Sequence, residues 1–198
     1  ERTQIGLNVP PGFVITTEAC LDYLKENALP DGLMAEIQEH IADLEKTTGK
    51  TFGKGSDPLL VSVRSGSALS MPGMMDTILN LGLNEETLAG LIKQTGDERF
   101  AYDAYRRFIQ LFGKVALGID DEHFDKHFDA IKKRVGVKAD VSLDASHLKE
   151  ISEKFLEVVR RESGDDFPHD VMQQLQLAVE SVFRSWRGKR AVDYRREV

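Results

Sequence analysis

The chain has 198 residues, of which 41% are hydrophobic and 30% charged, and its net charge is -7 at pH 7. This composition fits a globular protein of one sizeable domain or two small ones, and it excludes a mainly disordered chain. The acidic balance argues against nucleic acid as a partner, and no apolar run is long enough to cross a membrane. The single cysteine, Cys20, cannot form an internal disulfide, so we expect a reducing, cytoplasmic location or an equivalent stroma.

The first 83 residues predict a small layer of strands and helices. Short β-branched or apolar runs predict strands over residues 13–16, 59–63 and 78–81. Between the first two strands, apolar residues recur at helical spacing and predict helices over 18–26 and 33–47. Because sheets usually contain about four to six strands, we expect the rest of this sheet to lie outside the chain.

After residue 83 the sequence changes to long amphipathic helices. Apolar spacing and Asn or Asp caps predict helices over 85–94, 99–117 and 121–135, one that begins after Asp144, and a last one with Pro168 in its first turn. We therefore expect a helix-rich α/β (α+β) fold.

The change in composition suggests a division into three parts. We expect a partial α/β subdomain over 1–83 and a helical subdomain over 84–170. The remaining part, 171–198, is expected to be a helix that returns toward the α/β subdomain.

The stretch over 59–82, LLVSVRSGSALSMPGMMDTILNLG, carries the clearest chemical signal. Its strand ends at Arg64 and is followed by small or flexible residues, among them Gly66 and Pro72. Such a loop can offer backbone N–H groups to a phosphate, and an arginine can bind two phosphate oxygens at once. The plainer interpretations are a surface loop and an Arg64 that pairs with a nearby carboxylate, such as Asp76.

Five motifs, spread over nearly the whole chain, carry a resemblance to a known family. They are VRSG at 63–66, SMPGMMDTILNLGLN at 70–84, PPGFVITTEAC at 10–20, RFAYDAYRRFIQLFG at 99–113 and VFRSWRGKRAVDYRR at 182–196. Together they resemble the nucleotide-binding domain of the pyruvate phosphate dikinase family.

The resemblance implies a fold and an activity. The fold is ATP-grasp, so the chain is expected to be an incomplete ATP-grasp-like sheet domain with an inserted helical subdomain. The activity interconverts ATP, phosphate and pyruvate with AMP, diphosphate and phosphoenolpyruvate. In the family this domain passes a phosphoryl group from ATP to a histidine on a separate swivelling domain, and a barrel domain binds pyruvate. The full-length enzyme is expected to be a homodimer.

The resemblance also implies that several functional parts lie outside this chain. A glycine-rich segment with a lysine is expected just before Glu1, and the acidic Mg²⁺ ligands are expected after Val198. The phosphocarrier histidine belongs to another domain. We therefore expect ATP and Mg²⁺ as cofactors, no metal ligand within the chain, and a segment that is inactive by itself.

The resemblance assigns site residues to the 59–82 stretch. Arg64 is expected to contact the phosphates of the nucleotide and to be the catalytic residue. Ser65, Gly66 and Ser67 are expected to form the loop that holds the anion.

Arg106 and Arg107 form a pair on the polar side of the helix predicted over 99–117. A solvated helix face is the plainer interpretation. The other is that one of them points back at the nucleotide, and we include Arg107 among the expected cofactor-binding residues.

Two other functions stay open at this point. One is a phosphoenolpyruvate synthase-type dikinase that shares the same domain, which a phosphate requirement would distinguish. The other is a non-catalytic module whose helical part docks a partner.

Overall fold

The computed structural model describes residue 6 and the ranges 9–66 and 75–197. Two strands lie in this described part, β1 (Val61–Arg64) and β2 (Thr77–Leu81), and they pair antiparallel. The α-helices are α1 (Thr17–Glu26), α2 (Leu33–Thr48), α3 (Glu85–Thr95), α4 (Glu98–Val115), α5 (Asp121–Val135), α6 (Ala145–Ser163), α7 (Val171–Ser185) and α8 (Lys189–Glu197). The fold is thus helix-rich α/β with a small sheet, as the sequence predicts.

Helix starts agree well with the predicted caps. Asn84 accepts a hydrogen bond from the Thr87 N–H, and the Thr87 hydroxyl accepts one from the Asn84 N–H, so a reciprocal capping box opens α3. Asp120 caps α5 and Asp144 caps α6, each through a side-chain oxygen. Among the described helices, none combines the length and the apolar character needed to span a bilayer.

The prediction of a strand over 13–16 is wrong. Within the described residues this run pairs with no strand, and α1 follows at Thr17, with Thr16 as its N-cap in an extended conformation. The side chains of Phe13 and Ile15 pack against the core instead, and the Phe13 ring stacks on His40 at 5.1 Å between centroids. The run thus contributes two side chains to the packing and none to a ladder among the described residues, while Val14 between them is 87% exposed.

The predicted start of the last long helix is also wrong. α7 begins at Val171, and Asp170 caps it by accepting from the Met172 and Gln173 N–H groups. Pro168 lies before the helix, where its carbonyl accepts a hydrogen bond from the Gln174 side chain. The segment 171–198 contains two helices, because the chain turns after Ser185 and resumes as α8.

The sheet contains an irregularity close to the predicted loop. Val61 pairs with Leu81 and Val63 with Ile78, so β2 has one more residue than β1 between these pairs. Asn80, within the extra stretch, has φ of 61°, a left-handed conformation that asparagine tolerates better than most residues. The ladder resumes its regular register toward Arg64, which lies opposite Thr77.

The buried apolar side chains form one contiguous cluster, which extends from Tyr23 in α1 to Phe183 in α7. In its centre the rings of Phe108, Phe112 and Phe167 meet edge to face, with centroids 5.3 to 5.7 Å apart. α4 packs on α6 and also on β2, so this core lies directly behind the sheet.

Candidate functional site

Arg64 is the last residue of β1, and its side chain is exposed. Its neighbour in the strand, Val63, is partly buried and packs against the core, as period-two alternation requires. In the described part of the chain, no carboxylate forms an ion pair with Arg64.

Asp76, which directly precedes β2, pairs with an arginine other than Arg64. Its Oδ1 lies 3.4 Å from Nη2 of Arg190, at the start of α8. Asp76 directly precedes Thr77, the ladder partner of Arg64, and successive residues of an extended chain face opposite sides. This alternation explains why the pairing of Arg64 with Asp76, the plainer interpretation of the sequence, is not the one observed.

The loop after Arg64 leaves room for a ligand where it is described. Ser65 is half-buried, and Gly66 is exposed. Among the described residues, a Cβ placed on Gly66 would meet no atom within 4 Å, which leaves room on that side for a ligand to approach the backbone. Ser67 lies outside the described residues, and its expected role stays a prediction.

The two arginines of α4 have different surroundings, and the prediction of a shared polar face is wrong for one of them. Arg106 is buried at 4% exposure, its Nη2 lies 2.7 Å from Asp103 Oδ1, and its guanidinium lies 4.5 Å from the centroid of the Phe128 ring. The burial is tolerated because the charge is paired and stacked on an aromatic face. Arg107 is exposed, and its Nε donates to Asp103 Oδ2 at 2.9 Å. None of the described contacts of Arg107 joins it to β1 or to Arg64.

Sequence reasoning missed the residues that hold β2. The buried side chain of Gln174 accepts from the Gly82 N–H at 3.2 Å and donates to the carbonyls of Leu83 and Pro168. At the other end of the strand, Ser185 Oγ accepts from the Asp76 N–H at 3.3 Å. One signal was visible: Gln174 is a polar residue within the apolar stripe of α7, which calls for a buried partner.

Two arginines near the C-terminus, Arg184 and Arg195, have structural roles. Arg184 donates to the hydroxyl of Tyr23 at 2.9 Å and to the carbonyl of Ala116 at 3.4 Å. Arg195 stacks over the Trp186 ring at 4.0 Å and donates to the Trp186 carbonyl at 2.8 Å. These arginines fasten the end of α7 and α8 to the fold.

A small open cleft of ≈ 250 Å³ lies between α3, α4 and α6, and Tyr102, Tyr105 and Ser152 are among the residues that line it. Of the predicted phosphate-binding residues that the structure describes, Arg64, Ser65, Gly66 and Arg107, none borders this cleft. We place the candidate site at the end of β1, because an exposed arginine beside an open glycine matches phosphate chemistry and the cleft lining does not.

The described residues contain no group of three or more His, Cys, Asp or Glu side chains arranged to hold a metal ion. They therefore do not fit a Mg²⁺ site, and we assign no step of the chemistry to a metal held by them.

A family model described as "Pyruvate phosphate dikinase, AMP/ATP-binding domain" matches residues 28–198. The chain is also 55% identical over 196 residues to a pyruvate, phosphate dikinase of Entamoeba histolytica, which covers 98% of this chain and 22% of that protein. It is 50% identical over 192 residues to the enzyme so named from Giardia intestinalis, covering 97% and 22%. The enzyme so named from Clostridium symbiosum is 49% identical over 198 residues, covering 99% and 23%.

The alignments thus cover nearly all of this chain but only part of each relative. The chain spans about a fifth of the length of the curated relatives it matches. On the family match and these identities, the chain belongs to the pyruvate phosphate dikinase family and corresponds to its AMP/ATP-binding domain.

Proposed function

We propose that this chain is an ATP-binding part of a pyruvate phosphate dikinase, and that Arg64 holds the phosphates of ATP. One observation carries the proposal: Arg64 is exposed at the end of β1, with no carboxylate partner in the described part of the chain. The family description names an AMP/ATP-binding domain, which is a ligand class with phosphates. An unpaired arginine beside open backbone suits such a ligand.

The chemistry favours arginine in this role. Phosphoryl transfer spreads negative charge over oxygens, and catalysis consists largely of positioning and electrostatic stabilisation. The planar guanidinium of Arg64 stays charged and can bind two oxygens in one plane, which a lysine cannot reproduce. Gly66 lets the backbone N–H groups of the loop approach the same phosphates, and Ser65 and Ser67 are proposed to complete this loop.

We further propose the reaction of the full-length enzyme. It interconverts ATP, phosphate and pyruvate with AMP, diphosphate and phosphoenolpyruvate, and a phosphoryl group passes from ATP to a histidine on a separate domain. A third domain binds pyruvate, and the full-length enzyme is a homodimer. The relatives are named as pyruvate, phosphate dikinases, which supports this reaction.

The finer fold and the cofactor set belong to the same proposal. The small sheet is part of an ATP-grasp domain divided as 1–83, 84–170 and 171–198. Mg²⁺ would neutralise charge on the transferred group, and its ligands are proposed to lie outside this chain. A reducing compartment, cytoplasmic or stromal, suits the single cysteine, and some relatives carry the description chloroplastic.

The experiment is steady-state turnover of the full-length protein with the Arg64→Ala substitution. We expect the formation of phosphoenolpyruvate from ATP, phosphate and pyruvate to fall by at least about a hundredfold, because the positive charge that stabilises the reacting phosphates is removed. Circular dichroism should be unchanged, since the side chain is exposed and buries no partner.

The matched control is Arg160→Ala, which removes an exposed arginine whose ion-pair partner is Asp166. The control should keep turnover within about twofold of the wild type. Near-normal turnover of the Arg64→Ala variant would contradict the proposal. Full activity without added phosphate would instead indicate a phosphoenolpyruvate synthase-type enzyme.

A further inference from the structure

α7 holds β2 at both of its ends. Gln174, in the first turn of α7, bonds to Gly82 just after the strand, and Ser185, at the last turn, bonds to Asp76 just before it. Along the helix these two anchors are about 16 Å apart, at roughly 1.5 Å per residue, and the strand between its anchors spans about 20 Å. The helix therefore runs antiparallel to β2 and holds the strand at both ends by hydrogen bonds.

The anchor at Asp76 has a defined geometry. The Ser185 hydroxyl donates its proton to the Val182 carbonyl at 2.7 Å, so its lone pairs are left to accept from the Asp76 N–H. The Asp76 carboxylate accepts from Arg190 at 3.4 Å. Asp76 is thus held through its backbone and its side chain at once, by residues on either side of the turn between α7 and α8.

This anchor lies one residue from the ladder partner of Arg64. Thr77 follows Asp76 directly, and its pairing with Arg64 closes the ladder. A displacement of Asp76 is transmitted through Thr77 to the backbone of Arg64, because the paired strands move together. For a group that must meet reacting phosphates, a misplacement of about 1 Å can cost up to about a hundredfold in rate.

We propose that Ser185 and Arg190 are positioning residues for Arg64: they fix Asp76, and through the Thr77 pair they set where the guanidinium meets the phosphates. The inference rests on the proposed function, since it assigns a role to the same phosphate site. Neither residue touches the ligand in this scheme, and both act through β2.

The test is the double substitution Ser185→Ala with Arg190→Met in the full-length protein. We expect kcat/KM for ATP to fall about tenfold or more, with only a small decrease in melting temperature, because the ion pair is exposed and the lost hydrogen bond is only partly buried. Restoring the hydrogen-bonding groups with Ser185→Thr and Arg190→Lys should recover most of the loss.

α6 and the loop that follows it offer a closely matched control, Ser163→Ala with Arg160→Met. The Ser163 hydroxyl also donates to a helix carbonyl, that of Val159, and accepts from a loop N–H, that of Asp165. Arg160 also forms an exposed ion pair at 3.4 Å, with Asp166. This control should change kcat/KM by less than about twofold, since its contacts lie away from β2.

A second comparison separates positioning from a general loss of structure. In the Arg64→Ala background, the Ser185→Ala, Arg190→Met pair should lower kcat/KM for ATP by less than about twofold further, because the residue it positions is gone. An undiminished effect in that background, or a wild-type kcat/KM for the Ser185, Arg190 variant in the Arg64 protein, overturns the inference. Near-normal turnover of Arg64→Ala alone overturns the proposed function instead, so the two failures are distinguishable.

Discussion

Gln174 in α7 accepts a hydrogen bond from the backbone N–H of Gly82, 92 residues earlier in the chain, at 3.2 Å. The same amide group donates to the carbonyls of Leu83 and Pro168, so one buried side chain satisfies three backbone groups. The contact joins the strand that pairs with Arg64 to the helix behind it. The stability of the candidate site therefore depends on a residue far from it in sequence.

Gln174→Leu should destabilise the region around β2. The substitution keeps the size but leaves the Gly82 N–H and two carbonyls without partners, at about 1–3 kcal/mol for each buried group. We expect the local free energy of opening, measured from amide hydrogen exchange of β2 in the full-length protein, to fall by at least about 2 kcal/mol. The control is Gln173→Leu on the exposed face of α7. Equal exchange in the two variants would contradict the role given to Gln174.

Gly90→Ala should destabilise α3 more than Gly113→Ala destabilises α4. A Cβ on Gly90 would clash with the Gly55 carbonyl oxygen, which belongs to the backbone and cannot rotate away as a side chain can. A Cβ on Gly113 would lie 2.6 Å from the tip of the Phe124 ring, a side chain that can shift. Both changes gain the same helix propensity of about 1 kcal/mol, so it cancels in the comparison.

We expect the exchange-derived free energy of opening of α3 to fall by roughly 2 kcal/mol or more in Gly90→Ala. The corresponding value for α4 in Gly113→Ala should fall by clearly less. The opposite order would show that the loop around Gly55 adjusts more easily than a buried phenylalanine ring.

Tyr105→Phe should leave stability unchanged or slightly raised. The Tyr105 side chain is buried, and its hydroxyl has no hydrogen-bond partner among the described residues, so the substitution removes a desolvated polar group and no bond that the structure shows. Tyr23→Phe is the matched comparison, since the equally buried Tyr23 hydroxyl accepts from Arg184 at 2.9 Å. It should cost about 1–2 kcal/mol in thermal or urea unfolding. A larger loss for Tyr105→Phe than for Tyr23→Phe would contradict this account.

The same tyrosine predicts a dependence of stability on alkaline pH. Burial, and then the charges of Glu85 and Tyr102, raise the pKa of Tyr105 to about 12 in the folded protein. The folded pKa lies above the unfolded value of about 10, so the unfolded chain loses the tyrosine proton at a lower pH than the folded protein does. The free energy of unfolding is therefore unaffected by this group below pH 10 and falls as the pH rises toward 12. Relative to Tyr105→Phe, the wild type should lose roughly 2–3 kcal/mol across that window. If the free energy of unfolding of the two proteins changed with pH in parallel, the raised pKa of Tyr105 would be ruled out.

Much of the helical framework could be predicted from local signals. Asn84, Asp120 and Asp144 are good caps before amphipathic runs, and each begins the expected helix. The strand after the loop and the exposed arginine at the end of β1 also lie where the sequence predicts. These features depend on nearby residues, and periodicity and capping chemistry therefore reveal them.

The missed features depend on contacts between distant segments. Ser185 accepts a hydrogen bond from the Asp76 N–H, 109 residues away in the chain, and no local sequence pattern predicts such a contact. Arg106 looks like a surface arginine until Phe128 and Asp103 are seen around it. The run over 13–16 has strand composition, but it pairs with no strand in the described part of the chain, and tertiary packing overrides its local preference.

The central claim, that Arg64 binds the phosphates of ATP, is tested most directly by equilibrium binding of two ligands. Calorimetry should compare ATP with adenosine, which lacks the phosphates, on the wild-type full-length protein and on Arg64→Ala. We predict that the substitution weakens ATP binding by at least about tenfold and leaves adenosine binding within about twofold, because charge-assisted hydrogen bonds to phosphate are lost. An equal loss for both ligands, or no loss for either, would contradict the assignment of Arg64 to the phosphates.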